Sequence, residues 1–308
     1  MPETRIGISG WQYGPWREKF YPPKLSQKLE LHFASRCLNS IEINGSFYSL
    51  QRPSSYKNWH DATPDDFVFS LKGSRFITHM KRLKEIEEPL ANFFASGLLR
   101  LEEKLGPILW QFPPNFFFDN EKFARFFDVL PRDTSQAAKM GKKHTDFMKG
   151  RTWTKIERNR PLRHAVEIRH KSFMNDKFVD LCRKSKIAIV VADTAKKWPY
   201  ITEMTADFIY ARLHGEEELY VSGYGDEALD QWADRFKKWR KQASKSKPRD
   251  VYAYFDNDVK VYAPFDAMGL AKRLGVDRDY EQIKSEASLS GRQKSSRDTR
   301  RSSWRGLG

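Results

Sequence analysis

Apolar residues along this chain gather in eight short runs: IGISG (6–10), SIEIN (40–44), FVFSLK (67–72), PILWQF (107–112), HAVEIR (164–169), IAIVVAD (187–193), FIYARL (208–213) and VYAYF (251–255). The runs are too continuously apolar for half-exposed strands and read as strands covered on both faces. Between them the apolar positions change to three- and four-residue spacing, clearest in LELHFASRCL, NEKFARFFDVL, NDKFVDLCRKS and DEALDQWADRFKKWRKQA. That spacing predicts amphipathic helices. Eight strand-then-helix units predict a parallel sheet under a layer of helices, closed as a single (β/α)8 TIM-type barrel of the α/β class. A doubly wound open sheet is the alternative, but GISGWQYG lacks the G-x-G-x-x-G spacing expected after an early strand of such a sheet.

Most of the runs begin apolar and end polar. Glu42 and Asn44 close the second run, Ser70 and Lys72 the third, Gln111 the fourth, Glu167 and Arg169 the fifth, and Asp193 the sixth. Arg212 and His214 close the seventh, and Asp256 to Asp258 follow the eighth. Residues two apart share one face of a strand. In a barrel such ends meet at the C-terminal mouth, where barrel enzymes carry their chemistry. Isolated ion pairs such as Glu167 with Arg212, or Glu42 with Arg169, would also plug a barrel top. A buried pair adds little over apolar packing, however, so seven or more charged groups at one end point to a pocket.

Two loops extend that picture. Trp11, Tyr13 and Trp16 follow the first run and Tyr48 the second, as rings able to stack on a sugar or base or to pack on the rim. In KGSRFITHMKRL, Arg75, His79 and Arg82 are spaced to share one helical face and, with Lys72, to form an anion-binding patch.

With 308 residues and 39% hydrophobic content the chain can bury one large core. Its net charge of +15 is uneven. Residues 132–163 hold ten Lys or Arg against three acidic residues, and 281–308 hold seven against three, so these segments carry +7 and +4. The expected organisation is a barrel domain over 1–280, with a flexible basic insertion at about 132–163, followed by a disordered basic tail over 281–308. The two segments suit weak nonspecific contact with nucleic acid or simple solvation. No run approaches the roughly 20 apolar residues of a membrane span, and MPETRIGISG has no leader pattern, so a soluble cytoplasmic protein without membrane partners is expected. Cys37 and Cys182 lack metal or disulfide spacing and read as packed thiols in a reducing compartment.

The segments GISGWQYGPWREKFYP, IEINGSFYSL, WHDATPDDFVFSLKGSRFITHMKRL, LGPILWQFPPNF, AVEIRHKSF, VVADT, TADFIYARLHG and VYAYFDNDV resemble, in order, the YecE-like family, catalogued as domain of unknown function 72. The resemblance spans about residues 6–275 and implies a TIM-type barrel. It supplies no activity and no cofactor. On positions matching its motifs, the expected pocket residues are Glu42, Asn44, Lys72, Arg75, Glu167, Arg169, His170, Asp193, Arg212, His214 and Asn257. Asp256 stands where the family usually has the first of two asparagines.

Three functions fit these residues. In the first, an enzyme hydrolyses or isomerises a small anionic, phosphorylated or sugar-like substrate. Glu42, Glu167, Asp193 and His214 would be its catalytic groups, and Asn44, Lys72, Arg75, Gln111, Arg169, His170, Arg212, Asn257, Trp11 and Tyr48 would bind substrate. A divalent-metal version would use Glu42, Glu167, Asp193, His214 and Asp256 as ligands, against competition from the nearby cations. The third is a non-catalytic binding module whose basic segments contact polyanions.

Overall fold

The computed structural model describes residues 3–241 and 248–288. Nine parallel strands, β1 (Thr4–Ser9), β2 (Ser40–Ile43), β3 (Val68–Lys72), β4 (Leu105–Gln111), β5 (His164–Glu167), β6 (Ala188–Ile189), β7 (Val191–Asp193), β8 (Phe208–Leu213) and β9 (Asp250–Phe255), pair in the order β6-β5-β4-β3-β2-β1-β9-β8-β7. The two ends of this ribbon, β6 and β7, are one run of chain separated only by Val190. That run pairs with β5 on one side and β8 on the other, which closes the sheet on itself. The expected eight-unit barrel is therefore present, its sixth strand split by one residue.

Side chains alternate across the barrel wall. Ile6, Ile8, Ile41, Ile43, Phe69, Leu71, Trp110 and Val166 face outward into the main core. Helices α1 (Glu30–Cys37), α3 (Pro53–Ala62), α4 (Glu87–Ala95), α5 (Asn120–Val129), α7 (Asp176–Lys184), α8 (Asp226–Lys241) and α9 (Tyr262–Arg273) cover this layer, and α2 (Gly45–Tyr48) is a single turn after β2. Inward-facing Val68, Leu109, Ala165, Val190, Phe208, Tyr210, Tyr252 and Tyr254 fill the barrel itself. Above the apolar floor the filling turns polar. Ser40 Oγ lies 2.8 Å from the Tyr254 hydroxyl and Ser70 Oγ 2.7 Å from the Tyr210 hydroxyl.

Helix starts follow local chemistry. Asp119 accepts from Lys122 N at 3.0 Å and Asn175 from Phe178 N at 3.0 Å, caps contributing about 1 kcal/mol each. The basic segment expected to be flexible is folded. Asp133 caps α6 (Thr134–Gly141) through Gln136 N, Trp153 N donates to Ala95 O, and Thr145 bonds Asn92 of α4. Ala137, Ala138, Met148 and Leu162 are buried, so the charge of 132–163 sits on a fixed surface. The expected boundary at 280 falls at the start of a further helix, residues 280–288, whose Tyr280 and Ile283 pack on the main core. Residues 289–308 lie outside the described residues. Cys37 and Cys182 are buried and unbonded, with burial pushing both thiols up. No described helix is long and apolar enough to cross a membrane.

β1 and β2 approach closely at Gly7, where an added Cβ would lie 1.9 Å from Ser40 O. Overpacking of this kind costs about 1–3 kcal/mol. Gly7→Ala is expected to lower the thermal midpoint by several degrees in a melt followed by circular dichroism, and an unshifted midpoint would contradict so close an approach of the two strands.

Candidate functional site

The strand ends converge around Arg212, which is fully buried. β8 directs it inward, opposite Tyr254 of β9. Its Nη2 donates to Glu42 Oε1 at 2.9 Å and to Asp256 Oδ2 at 2.8 Å, and its Nη1 donates to Glu167 Oε2 at 2.8 Å. One guanidinium thus holds three carboxylates from three different elements. Without it Glu42 would be a buried charge with no cation beside it, Glu167 would keep only Arg169, and Asp256 would keep only His214.

Each glutamate has further partners. Glu42 also accepts from Ser9 Oγ at 2.9 Å and from the Tyr210 hydroxyl at 2.6 Å. Glu167 Oε1 receives Arg169 Nε at 2.8 Å and lies 2.7 Å from Arg169 Nη2. Burial alone would raise the Glu167 carboxyl, but Arg169 and Arg212 outweigh it and hold the group ionised. Both glutamates are committed to the guanidiniums, which suits them to holding Arg212 in place.

The groups free to move protons lie around this network. Lys72, at the end of β3, sits over the Phe47 ring at 4.4 Å, and its Nζ has no hydrogen-bond or ion-pair partner among the described residues. Burial, then Arg212, lowers it to about 8. His214 lies with Nε2 3.4 Å from Arg212 Nη1 and Nδ1 3.0 Å from Asp256 Oδ2. Burial and Arg212 favour its neutral form. Asp256 and Asp258 follow β9 two residues apart. Against burial, Arg212 and His214 hold Asp256 ionised, whereas burial and the Asp256 charge push Asp258 up. The two carboxyl groups are thus pushed in opposite directions, the kind of separation that acid/base chemistry uses. Tyr13 donates to Ser9 O at 2.5 Å and stands beside Asp258.

Of the residues expected at the mouth, Glu42, Lys72, Glu167, Arg169, Arg212 and His214 are brought together. Asn44 follows β2 on the side of Glu42, and its Oδ1 is buried without a partner among the described residues. Gln111 is buried opposite Glu167. Arg75 and Tyr48 form an exposed pair at the rim, 6.0 Å apart, with Tyr48 67% exposed.

Other expectations are corrected. Asp193 is one residue beyond inward-facing Ala192, so it points away from the mouth and accepts from the Tyr224 hydroxyl at 3.0 Å. Asn257 likewise alternates outward and donates to Asp266 at 2.8 Å and to Ser222 O at 3.0 Å. His170 is a helix cap, its Nδ1 accepting from Ser172 N at 3.1 Å. Trp11 packs on Trp59 and Phe69 in the outer core. Arg75, His79 and Arg82 do not share a helical face. Phe76–Met80 is a single π-helical turn, and Arg82 leaves it to bond Asn115 and cover Phe116 at 4.8 Å. His79 stands over Phe47, lowered to about 4 by burial and then Lys72.

The residues expected as metal ligands are not arranged around one shared point. Asp193 is turned away, and Arg212 occupies the space among Glu42, Glu167 and Asp256. The one group of metal-competent spacing among the described residues is His60, Glu102 and Glu103, outside the mouth. Sequence reasoning misses Ser9 and Tyr210 as neighbours of this network, and it notes Asp258 and Tyr13 near the mouth without giving either a catalytic or binding role. The period-two pattern in FDNDV, which puts Asp256 and Asp258 on one face and Asn257 on the other, is the available signal for Asp258.

Comparison with known proteins agrees with this architecture. The chain is 29% identical over 124 residues to UPF0759 protein YunF of Bacillus subtilis (strain 168), covering 39% of this chain and 43% of YunF. It is 23% identical over 238 residues to UPF0759 protein YecE of Escherichia coli (strain K12), covering 76% of this chain and 81% of YecE. A crystal structure of a DUF72 family protein from Thermotoga maritima superposes with a TM-score of 0.69 at 23% identity, over 89% of this chain and 99% of that one. Another, from Enterococcus faecalis, superposes with a TM-score of 0.67 at 17% identity, over 90% and 97%. The family model described as "Protein of unknown function DUF72" matches residues 5–289, and the chain belongs to that family.

Proposed function

We propose that the mouth binds a small anionic, phosphorylated or sugar-like substrate and acts on it by acid/base chemistry, as a hydrolase or isomerase. The observation that carries this reading is the gathering of unsatisfied polar atoms. Asn44 Oδ1, Arg212 Nε and Asp258 Oδ1 are all buried without hydrogen-bond partners among the described residues. Each such atom costs about 1–3 kcal/mol when left unpaired, and a cluster of them in one place suits a bound molecule or ordered water that completes them.

The roles follow from charge. Lys72 and Arg169 attract the anion, and Arg75 at the rim guides it inward. Asp258 supplies a proton, while Lys72 in its neutral fraction or His214 removes one. Glu42, Glu167 and Asp256 keep Arg212 fixed beneath the reacting groups. A turnover screen across phosphate esters, sugar phosphates and glycosides tests the proposal. Lys72→Met is expected to raise KM about tenfold or more, by removing one charge-assisted contact. Finding no substrate class whose turnover depends on Lys72 would defeat it.

A further inference from the structure

Asp193 and Trp198, which the acid/base scheme does not use, line a second cavity. It measures about 320 Å³ and lies between the chain after β7 and helix α8, with Tyr200, Tyr224, Trp232 and Arg235 completing its walls. Three features describe what would fit. Flat rings form the walls: Tyr200 is 44% exposed, and Trp232 carries the Arg235 guanidinium 4.8 Å from its ring. A carboxylate, Asp193, stands at the inner end, fixed by the Tyr224 hydroxyl. The cavity also adjoins the mouth. Trp198 is in contact with both, with the Arg169 guanidinium 3.7 Å from its ring and the His214 ring 6.5 Å away.

Aromatic walls favour a planar, polarisable guest, and a carboxylate accepts from N–H donors. The volume is at the lower end of the range for small-molecule sites, enough for a bicyclic ring. We propose that this cavity is the subsite for a planar, amino-bearing heterocycle, and that the ligand of the mouth is a purine nucleotide. Its phosphate lies by Lys72 and Arg169, and its base passes Trp198 to meet Asp193. The phosphate half of this assignment rests on the anion-binding reading of the mouth, and the base half stands on the cavity alone.

Calorimetric titration of the full chain with AMP, adenosine and ribose 5-phosphate separates the two halves. AMP is expected to bind at least about tenfold more tightly than either fragment, since joining two fragments adds their favourable contacts. Tyr200→Ala removes an exposed stacking surface, and Asp193→Asn keeps an acceptor for Tyr224 while replacing the carboxylate. Both are expected to weaken AMP and adenosine about tenfold and to leave ribose 5-phosphate unchanged. Lys72→Met is expected to weaken AMP and ribose 5-phosphate and to leave adenosine unchanged. Ribose 5-phosphate binding without adenosine binding would overturn the base subsite and leave the reading of the mouth intact. Adenosine binding that gains nothing from a phosphate would overturn the nucleotide assignment and the anion role of Lys72 together. Equal loss of all three ligands in Tyr200→Ala would also overturn the division into subsites.

Discussion

Replacing Arg212 with methionine is expected to destabilise the fold by about 3–5 kcal/mol, the usual cost of removing one partner from a buried charge cluster. Chemical denaturation of wild type and variant at neutral pH measures it. Glu42, Glu167 and Asp256 all lose their shared cation, and Lys72 and Arg169 cannot replace three hydrogen bonds of 2.8–2.9 Å. The pH dependence distinguishes this cause from lost packing. In wild type, Glu167 is held below its ordinary range. Its contribution is therefore present above the unfolded value near 4.3 and is lost as pH falls through the folded one. In the variant the stranded carboxylates are raised, so they take up protons as pH falls from their raised folded values toward the unfolded value of about 4, which favours folding and shrinks the deficit over that window. A deficit that stays constant from pH 7 to pH 4 would attribute the loss to packing.

Asp258→Asn carries the other large effect. Once a turned-over substrate is identified, kcat is expected to fall about 10²–10⁴-fold, the usual contribution of a general acid. The alkaline limb of the wild-type pH profile should vanish with it, because that limb reports loss of the Asp258 proton. Stability supplies a second readout. A carboxyl raised in the folded state stabilises fully below its unfolded value near 3.9, and that contribution is lost as pH rises through the folded value. Relative to wild type, Asp258→Asn should therefore gain stability as pH rises from about 4 through neutrality. A variant with wild-type kcat and an unchanged alkaline limb would transfer the acid role elsewhere, with Tyr13 the nearest group.

The barrel and the centre of its mouth were legible because both are written in alternation. In AVEIR and YARLH an apolar residue separates each polar pair, so Glu167 with Arg169 and Arg212 with His214 had to share a face. The same rule misplaced Asp193 and Asn257 by one residue. Nothing in VVAD marks which parity continues at the strand's end, and inward Ala192 decided it; in FDND the period-two spacing was the signal, and inward Asp256 set its phase. Asp258 was visible among the polar residues after the eighth run but drew no role, since it lies three residues past the end of β9. His170 resembled a pocket group because cap and ligand histidines look alike in sequence, and only its bond from Ser172 N separates them. In the basic insertion, composition outweighed local signals. Asp133 three residues before Gln136 is a helix start, and ten cations drew attention from it.

The hydroxyl pairs beneath the mouth also limit how molecules traffic. With Tyr210, Tyr254, Phe208 and Tyr252 packed across the bore, the cylinder has a solid floor. On the proposed reading, a molecule taken up past Lys72 and Arg75 cannot cross the barrel to its other end. Uptake and release then share one side of the protein, and a spent molecule that lingers competes directly with its replacement.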